Sequence, residues 1–217
     1  MNKIKNVLFD LDGTMLDTVQ DLGNSLNSMR RHRNMPDIPT DIIRPYAGMG
    51  AKALLKIAFG VDDHSDEYKE MLEEFFNAYQ SRMTETTTLF PGMEKVLQHL
   101  DNNQISWGIV TNKPSRFTVD LLDVLDLTRR TNCIICGDTL AKRKPHPEPI
   151  LEACKILNQN PENTIYVGDT LTDVTASKAA GTRSLVVLYG YIGPEENPYN
   201  WQADAYVKTA DEIINWI

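Results

Sequence analysis

Two aspartates, Asp10 and Asp12, follow directly after the apolar run Val7-Leu8-Phe9, and Gly13 and Thr14 come next. Such a run predicts a buried strand, and ligands of open α/β sheets bind beyond the carboxyl ends of the strands. Two carboxylates at that point predict a metal site, covalent chemistry or acid–base chemistry. Asp12-Gly13 alone is also a common turn dipeptide, so the interpretation depends on the rest of the chain.

Polar groups also follow three further predicted strands. In chain order they are Thr111-Asn112 after Trp107–Val110, Lys144 in the loop that follows Cys133–Cys136, and Asp169 with Asp173 after Thr164–Val167. Each group alone also fits a helix start, a helix cap or a surface charge. Their occurrence in order, each beyond the carboxyl end of a predicted strand, favours a single shared site.

Phosphoryl transfer is the chemistry that fits this set. Carboxylates that face one another repel unless a cation lies between them, and Mg²⁺ favours oxygen ligands and few carboxylates. We therefore expect Asp10 and Asp169 to bind Mg²⁺. Asp10 is also the expected nucleophile, forming an aspartyl-phosphate. Asp12 would protonate the leaving alkoxide and then deprotonate the attacking water.

The remaining motif residues are suited to stabilise the negative charge of the transition state. Lys144 and Thr111 are expected to hold the equatorial phosphoryl oxygens, where that charge develops. Gly13 would allow a tight turn that exposes backbone amides to the phosphate.

The pattern of elements predicts a Rossmann-like doubly wound parallel sheet with an inserted helical cap. Short β-branched runs alternate with helical patterns, which is typical of a parallel sheet covered on both faces. Residues 17–88 lack a convincing strand and show only helical patterns. We predict that residues 1–16 and 89–217 form the core, that 17–88 form the cap, and that hinges lie near Asp17–Val19 and Thr86–Leu89.

Composition argues against some classes of partner. The chain has 217 residues and a formal net charge of −8, so it lacks the overall basic charge typical of proteins that bind nucleic acid or anionic membranes. No apolar run reaches the roughly 18 residues of a membrane span, and the first residues lack a signal-peptide core. We expect a cytoplasmic protein, monomeric or homodimeric, that acts on a small phosphorylated metabolite.

The four motifs resemble those of the haloacid dehalogenase superfamily of phosphohydrolases. The matching residues are Asp10-Leu-Asp12-Gly13-Thr14, Thr111-Asn112, Lys144 and Gly168-Asp169-Thr-Leu-Thr-Asp173. The resemblance implies that Asp10 is the nucleophile and that Asp12 is the general acid/base. It also implies that Mg²⁺ binds the Asp10 side chain, the Asp12 backbone carbonyl and Asp169, with Asp173 supporting the site.

Further phrases are similar to the phosphoglycolate phosphatase branch of that superfamily. They are Gly108-Ile-Val-Thr-Asn-Lys-Pro114, Lys144-Pro-His-Pro-Glu-Pro149, Tyr189-Gly-Tyr191 and the cap segment Gly48-Met-Gly50-Ala-Lys52. The resemblance implies that 2-phosphoglycolate is the substrate. Gly13, Asn112, Gly48 and Gly50 are expected to contact it. Lys52 is expected to bind its distal anion or to be an exposed helix lysine.

Several alternatives remain open at this stage. The tail from Tyr191 to Asp204 also looks like that of phosphatases acting on N-acetylmuramic acid 6-phosphate. A phosphomutase would carry the same motifs, and a catalytically silent binding module would keep the fold without turnover. A dehalogenase would have no need of an acid at Asp12, because a halide leaves without a proton.

Overall fold

The computed structural model describes residues 3–217, which form eight strands and eight α-helices. The strands are β1 (Asn6–Phe9), β2 (Leu16–Asp17), β3 (Thr88–Leu89), β4 (Ser106–Val110), β5 (Cys133–Ile135), β6 (Thr164–Gly168), β7 (Arg183–Val187) and β8 (Ala205–Val207). The helices are α1 (Val19–His32), α2 (Thr40–Ala47), α3 (Ala51–Phe59), α4 (Tyr68–Gln80), α5 (Met93–Asn102), α6 (Ser115–Val124), α7 (Glu148–Ile156) and α8 (Leu171–Ala180). Short 3₁₀ segments lie at Pro161–Asn163, Pro198–Trp201 and Ala210–Trp216.

Six of these strands form one parallel sheet in the order β5-β4-β1-β6-β7-β8. Alternate residues of β1 enter different clusters: Val7 and Phe9 pack with α5, whereas Leu8 packs with α7 and α8 on the other face. The predicted doubly wound fold is therefore confirmed, and the four strands that precede the motifs lie within one residue of their expected positions.

The order of the strands places the first motif at the centre. β1 lies between β4 and β6, with Phe9 paired to Ile109 on one side and to Val167 on the other. The residues that follow these three strands therefore emerge side by side at one edge of the sheet.

The inserted residues form four helices, α1 to α4, which we call the cap. The apolar residues of α1 recur with helical spacing, so that Val19, Leu22, Leu26 and Met29 are buried along one face. The cap and the sheet share one continuous apolar cluster. The four helices lie within residues 17–88, where the sequence shows helical patterns, while the division into two domains stays a prediction. Among the described residues, no helix is both long and apolar enough to cross a membrane.

A two-stranded antiparallel ribbon, which the sequence did not predict, joins the cap to the core. β2 and β3 pair Leu16 with Leu89 and Asp17 with Thr88. Strands of two residues are too short to produce a recognisable period. The ribbon coincides with the two predicted hinge segments, so both chain crossings are held together by backbone hydrogen bonds.

Asp21 holds the segment through which the chain returns from the cap to the core. It lies in the first turn of α1, is fully buried, and accepts hydrogen bonds from the backbone N–H and the hydroxyl of both Thr86 and Thr87. A carboxylate at a helix N-terminus is favourable in itself, and here it also binds the strand that returns to the core.

We predict that Asp21→Ala destabilises the protein. The buried donors of Thr87 would lose their acceptor, so the free energy of unfolding should fall by about 1–3 kcal/mol. In a chain of this size the melting temperature should drop by about 3–10 °C, measured by differential scanning calorimetry. The control is Asp66→Ala, because Asp66 is an exposed cap residue. Equal melting temperatures for the two variants would contradict the role given to Asp21.

Candidate active site

Three buried carboxylates meet at the carboxyl edge of the sheet. Asp10 follows β1, Asp169 follows β6, and Asp173 lies in the first turn of α8. They are 8%, 0% and 1% exposed. One oxygen from each lies within 4.8 Å of one from each of the others. Three of the four residues predicted to form a metal site are thus brought together by their side chains.

Local structure orients the two carboxylates beyond β6. Asp169 Oδ1 accepts a hydrogen bond from Thr14 Oγ1 at 3.1 Å, and its Oδ2 accepts one from the Tyr191 backbone at 2.6 Å. Asp173 forms a capping box with Thr170, in which its Oδ2 accepts from the Thr170 backbone at 3.0 Å. The capping box ties one oxygen of Asp173 to the start of α8 and leaves the other facing Lys144.

Lys144 is the cation of this cluster. Its Nζ lies 2.8 Å from Asp10 Oδ1, 2.7 Å from Asp173 Oδ1 and 2.6 Å from the Tyr166 hydroxyl, and its side chain is 2% exposed. Three carboxylates against one ammonium leave two negative charges if all are ionised. Uncompensated buried charge is costly, so the residues in the cluster are electrostatically incomplete.

The acid–base equilibria reflect this imbalance. Burial raises the pKa of Asp10 to about 6, although Lys144 opposes the shift. Burial raises the pKa of Asp169 well above its usual range, and the charges of Asp10 and Asp173 add to the effect. Burial lowers the pKa of Lys144, but the two neighbouring carboxylates outweigh it and the net pKa is raised. Lys144 is therefore charged, whereas Asp10 and Asp169 resist ionisation.

A divalent cation fits this donor set. Its charge would cancel the two excess negative charges, and carboxylate oxygens are the ligands that Mg²⁺ prefers. Within residues 3–217, Asp10 Oδ1 is buried and receives no well-directed hydrogen bond, although Lys144 is its close ion-pair partner. An acceptor in that state is suited to bind a cation.

Asp12 points away from this cluster and contacts the cap. Both of its oxygens lie 3.0–3.1 Å from Lys113 Nζ, and Oδ1 also accepts a hydrogen bond from Thr18 Oγ1 at 2.7 Å. Lys113 Nζ donates in addition to the Tyr79 hydroxyl on α4 at 2.9 Å. The predicted acid/base carboxylate is thus held by one residue of the core and one of the hinge, and is connected to the cap through Lys113.

The remaining predicted core residues surround Asp10. Thr111 is buried and follows β4, and the Asn112 amide donates to the Lys144 backbone carbonyl at 3.0 Å. Gly13 has φ +82°, and a Cβ there would lie 2.2 Å from Asp169 Oδ2. Only glycine combines that backbone conformation with so close a carboxylate. Asn112 therefore positions the lysine loop, and Gly13 allows the first motif to pack against the fourth.

A cavity of about 730 Å³ opens over these groups, between core and cap. Asp10, Asp12, Thr111 and Lys144 line its core side. The cap side is largely apolar and includes Tyr68, Leu72, Phe75, Phe76 and Tyr79. The cavity has the size of a pocket for a whole small molecule and a polar floor for its reacting end.

The three cap residues singled out from the sequence also line this cavity. Gly48 ends α2, and an added Cβ would lie 2.9 Å from the Tyr191 carbonyl, so the cap approaches the core closely there. Gly50 precedes α3. Lys52 Nζ lies 2.7 Å from Asp63, which also lines the cavity. The charge of Lys52 is therefore already compensated.

Sequence reasoning missed the roles of Lys113, Tyr79, Tyr166 and Tyr191. Lys113 stands beside Thr111-Asn112, and its position in that motif is the one signal that was available. The sequence predicts no role for the three tyrosine hydroxyls, because their partners come from distant parts of the chain.

Comparison with known proteins places the chain in a family. A profile of the haloacid dehalogenase-like hydrolases matches residues 7–187, which include all four motifs. The chain belongs to this family. The resemblance seen in the sequence is thereby confirmed.

Several phosphatases are similar to this family member over nearly their whole length. An N-acetylmuramic acid 6-phosphate phosphatase of Pseudomonas putida is 40% identical over 97% of this chain and 95% of its own. A phosphoglycolate phosphatase of Xylella fastidiosa is 39% identical over 94% and 89%. A crystal structure of a predicted phosphoglycolate phosphatase from Haemophilus somnus superposes with a TM-score of 0.87, at 25% identity and covering 100% of this chain and 99% of that one. The chain is a phosphoric monoester hydrolase, as the sequence predicted.

In this hydrolase, Tyr191 connects the carboxylate cluster to the hinge. Its backbone N–H donates to Asp169, while its hydroxyl donates to Asp17 Oδ1 at 2.9 Å and accepts from the backbone N–H groups of Thr18 and Val19 at 2.7 and 3.0 Å. The hydroxyl thus satisfies orphan donors at the start of α1. One buried residue therefore ties the position of the cap to that of Asp169.

We predict that Tyr191→Phe lowers the free energy of unfolding by about 2–4 kcal/mol, because two buried N–H groups lose their acceptor. Urea denaturation followed by circular dichroism measures this change. The matched control is Tyr199→Phe, because Tyr199 is 58% exposed. If the two variants unfold at the same urea concentration, the Tyr191 hydroxyl does not hold the hinge.

Proposed function

We propose that this chain is a Mg²⁺-dependent phosphatase that hydrolyses a small phosphate monoester through an aspartyl-phosphate on Asp10. The observation that carries the proposal is the cluster of Asp10, Asp169 and Asp173 around Lys144, of which Asp10 and Lys144 line the floor of a cavity between core and cap. A divalent cation would neutralise the cluster's two excess negative charges. One carboxylate of the cluster, Asp10, faces the cavity where a phosphate would enter.

The proposed reaction has two steps. An oxygen of Asp10 attacks phosphorus, the ester bond to the alcohol breaks, and the proton of Asp12 passes to the leaving alkoxide. Asp12 then takes a proton from a water that attacks the aspartyl-phosphate, which releases inorganic phosphate and regenerates Asp10. Lys113 and Thr18 hold Asp12 in one orientation for both proton transfers.

The other residues of the site stabilise charge. Lys144 lies beside the nucleophile and, with Thr111, would bind the phosphoryl oxygens in the transition state. The Asp10 and Asp169 side chains and the Asp12 backbone carbonyl would hold Mg²⁺, with Asp173 supporting them. When bound, Mg²⁺ neutralises charge on the phosphoryl oxygens and on the carboxylates. The cap excludes bulk water and contacts the leaving group.

We propose 2-phosphoglycolate as the substrate, a role supported by the phosphoglycolate phosphatase of Xylella fastidiosa among the relatives. N-acetylmuramic acid 6-phosphate is the second candidate. It is favoured by the Pseudomonas putida relative and by the cavity, whose 730 Å³ and aromatic cap wall suit a sugar better than a two-carbon acid.

Phosphate release from both candidate substrates and from p-nitrophenyl phosphate tests the proposal. We expect wild-type enzyme to hydrolyse at least one candidate with kcat/KM above about 10⁴ M⁻¹s⁻¹, which is the usual range for enzymes. Asp10→Asn should lower kcat on every substrate by at least about 10³-fold, because an amide is not a nucleophile. Equal phosphate release from both proteins would refute the covalent mechanism.

Removal of Mg²⁺ gives a prediction with a defined pH dependence. The raised pKa of Asp10, about 6 against an ordinary 3.8, means that the metal-free folded protein binds more protons than the unfolded chain between these values. Its free energy of unfolding should therefore fall as pH rises through this window. Mg²⁺ replaces those protons, so its stabilising effect should grow over the same window.

Thermal unfolding with Mg²⁺ or with EDTA measures this effect. At about pH 7.5 and near-saturating Mg²⁺, we expect stabilisation of about 2–3 kcal/mol, and less than half of that at about pH 5. Asp169→Asn should abolish the difference. A shift that is equal at both pH values, or that persists in Asp169→Asn, would show that Mg²⁺ binds elsewhere.

A further inference from the structure

The cationic side chains around the cavity are not equivalent. Seven charged residues line it, and six of them form three ion pairs. The pairs are Lys144 with Asp10 at 2.8 Å, Lys113 with Asp12 at 3.0 Å and Lys52 with Asp63 at 2.7 Å. The seventh is Arg143, whose guanidinium makes no ion pair or hydrogen bond within residues 3–217.

We infer that Arg143 is a specificity-determining residue that binds a carboxylate on the leaving group of the substrate. The inference rests on the proposed phosphatase function and deepens it. It assigns the substrate class as phosphate monoesters whose alcohol portion carries a carboxylate. Both candidate substrates belong to this class, one as a glycolate ester and the other through its lactyl group.

The position of Arg143 supports this role. It directly precedes Lys144, and consecutive Cα atoms are about 3.8 Å apart, so the two cations leave the same loop beside the nucleophile. Lys144 is buried at the floor, whereas Arg143 is exposed on the cavity wall. A substrate with its phosphate on Asp10 and Lys144 would present its alcohol portion to the wall.

The chemistry of the guanidinium suits a carboxylate. Arginine offers a planar fork of donors that binds a carboxylate through two parallel hydrogen bonds. The chain carries a net charge of −8, so a substrate with two anionic groups needs local cations to enter the site. Lys52, the cation that the sequence suggested for a distal anion, would have to give up Asp63 first, whereas Arg143 needs no such exchange.

The test measures how strongly the enzyme prefers a carboxylated substrate over a matched one that lacks the carboxylate. One pair is 2-phosphoglycolate and 2-hydroxyethyl phosphate. The other is N-acetylmuramic acid 6-phosphate and N-acetylglucosamine 6-phosphate. The readout is the ratio of kcat/KM for the carboxylated substrate to kcat/KM for its partner. A general loss of activity or stability affects both members of a pair equally and cancels in this ratio. The pair with the larger wild-type ratio identifies the source of the carboxylate.

We expect Arg143→Gln to lower this ratio by ~10- to 100-fold in at least one pair, which corresponds to loss of a charge-assisted hydrogen bond. The drop should appear mainly in KM. Lys142→Gln is the control, because Lys142 is exposed in the same loop, carries the same charge and does not line the cavity. Its ratios should match those of wild type.

Three results would overturn the inference. They are an equal loss on both members of each pair in Arg143→Gln, no loss on either member, and a loss of the preference in Lys52→Gln instead. A wild-type enzyme that hydrolyses p-nitrophenyl phosphate but shows no preference in either pair would also overturn it, while leaving the phosphatase function intact.

Binding measurements test the role of Arg143 independently of catalysis. Isothermal titration of the four substrates into Asp10→Asn, with and without Arg143→Gln, measures the preference without turnover. If wild type releases no phosphate from any substrate, the proposed function fails. The inference about Arg143 then stands only if Asp10→Asn binds a carboxylated ligand at least ~10-fold more tightly than its partner and the added Arg143→Gln removes the difference.

Discussion

An imbalance of buried charge dominates this molecule: three carboxylates and one ammonium lie together with little exposure to solvent. Two excess negative charges in such a place destabilise the fold unless they are protonated or paired with a cation. Asp10 and Asp169 respond with raised pKa values. The same imbalance suits the site to a divalent cation, which under the proposed function would also keep Asp10 ionised.

The fold can hold this charge because each carboxylate is anchored by rigid structure. β1 and β6 are adjacent central strands, so Asp10 and Asp169 follow neighbouring strand ends. Asp173 is fixed by the first turn of α8 and Lys144 by the Asn112 amide. No hinge motion is required to assemble the cluster. Asp12 is held differently, by Thr18 at the start of α1 and by Lys113, which also donates to Tyr79 on α4.

The sequence predicted the elements and motifs well because both depend on residues that are neighbours in the chain. Apolar runs of three or four residues mark the strands, and all the motifs except Lys144 follow their strands directly. What could not be predicted are the contacts between distant segments. Asp21 carries no sequence signal for its role, yet it accepts hydrogen bonds from Thr86 and Thr87, just before β3. The Tyr191 hydroxyl caps α1, although the sequence singled out Tyr191 only as part of the phrases that carry the resemblance. The Lys52–Asp63 pair likewise depends on tertiary placement within the cap.

Under the proposed function, the two walls of the cavity would contact different parts of the substrate. The polar floor, with Asp10 and Lys144, would bind the phosphate, which is the same in every monoester. The aromatic side chains of α4 and Arg143 line other parts of the cavity and would contact the alcohol portion. Lys113 contacts both walls, because its Nζ lies 3.0 Å from Asp12 Oδ2 on the floor and 2.9 Å from the Tyr79 hydroxyl on the cap. A substitution that changes the packing of Tyr79 would therefore act through Lys113 on Asp12, the proposed acid/base.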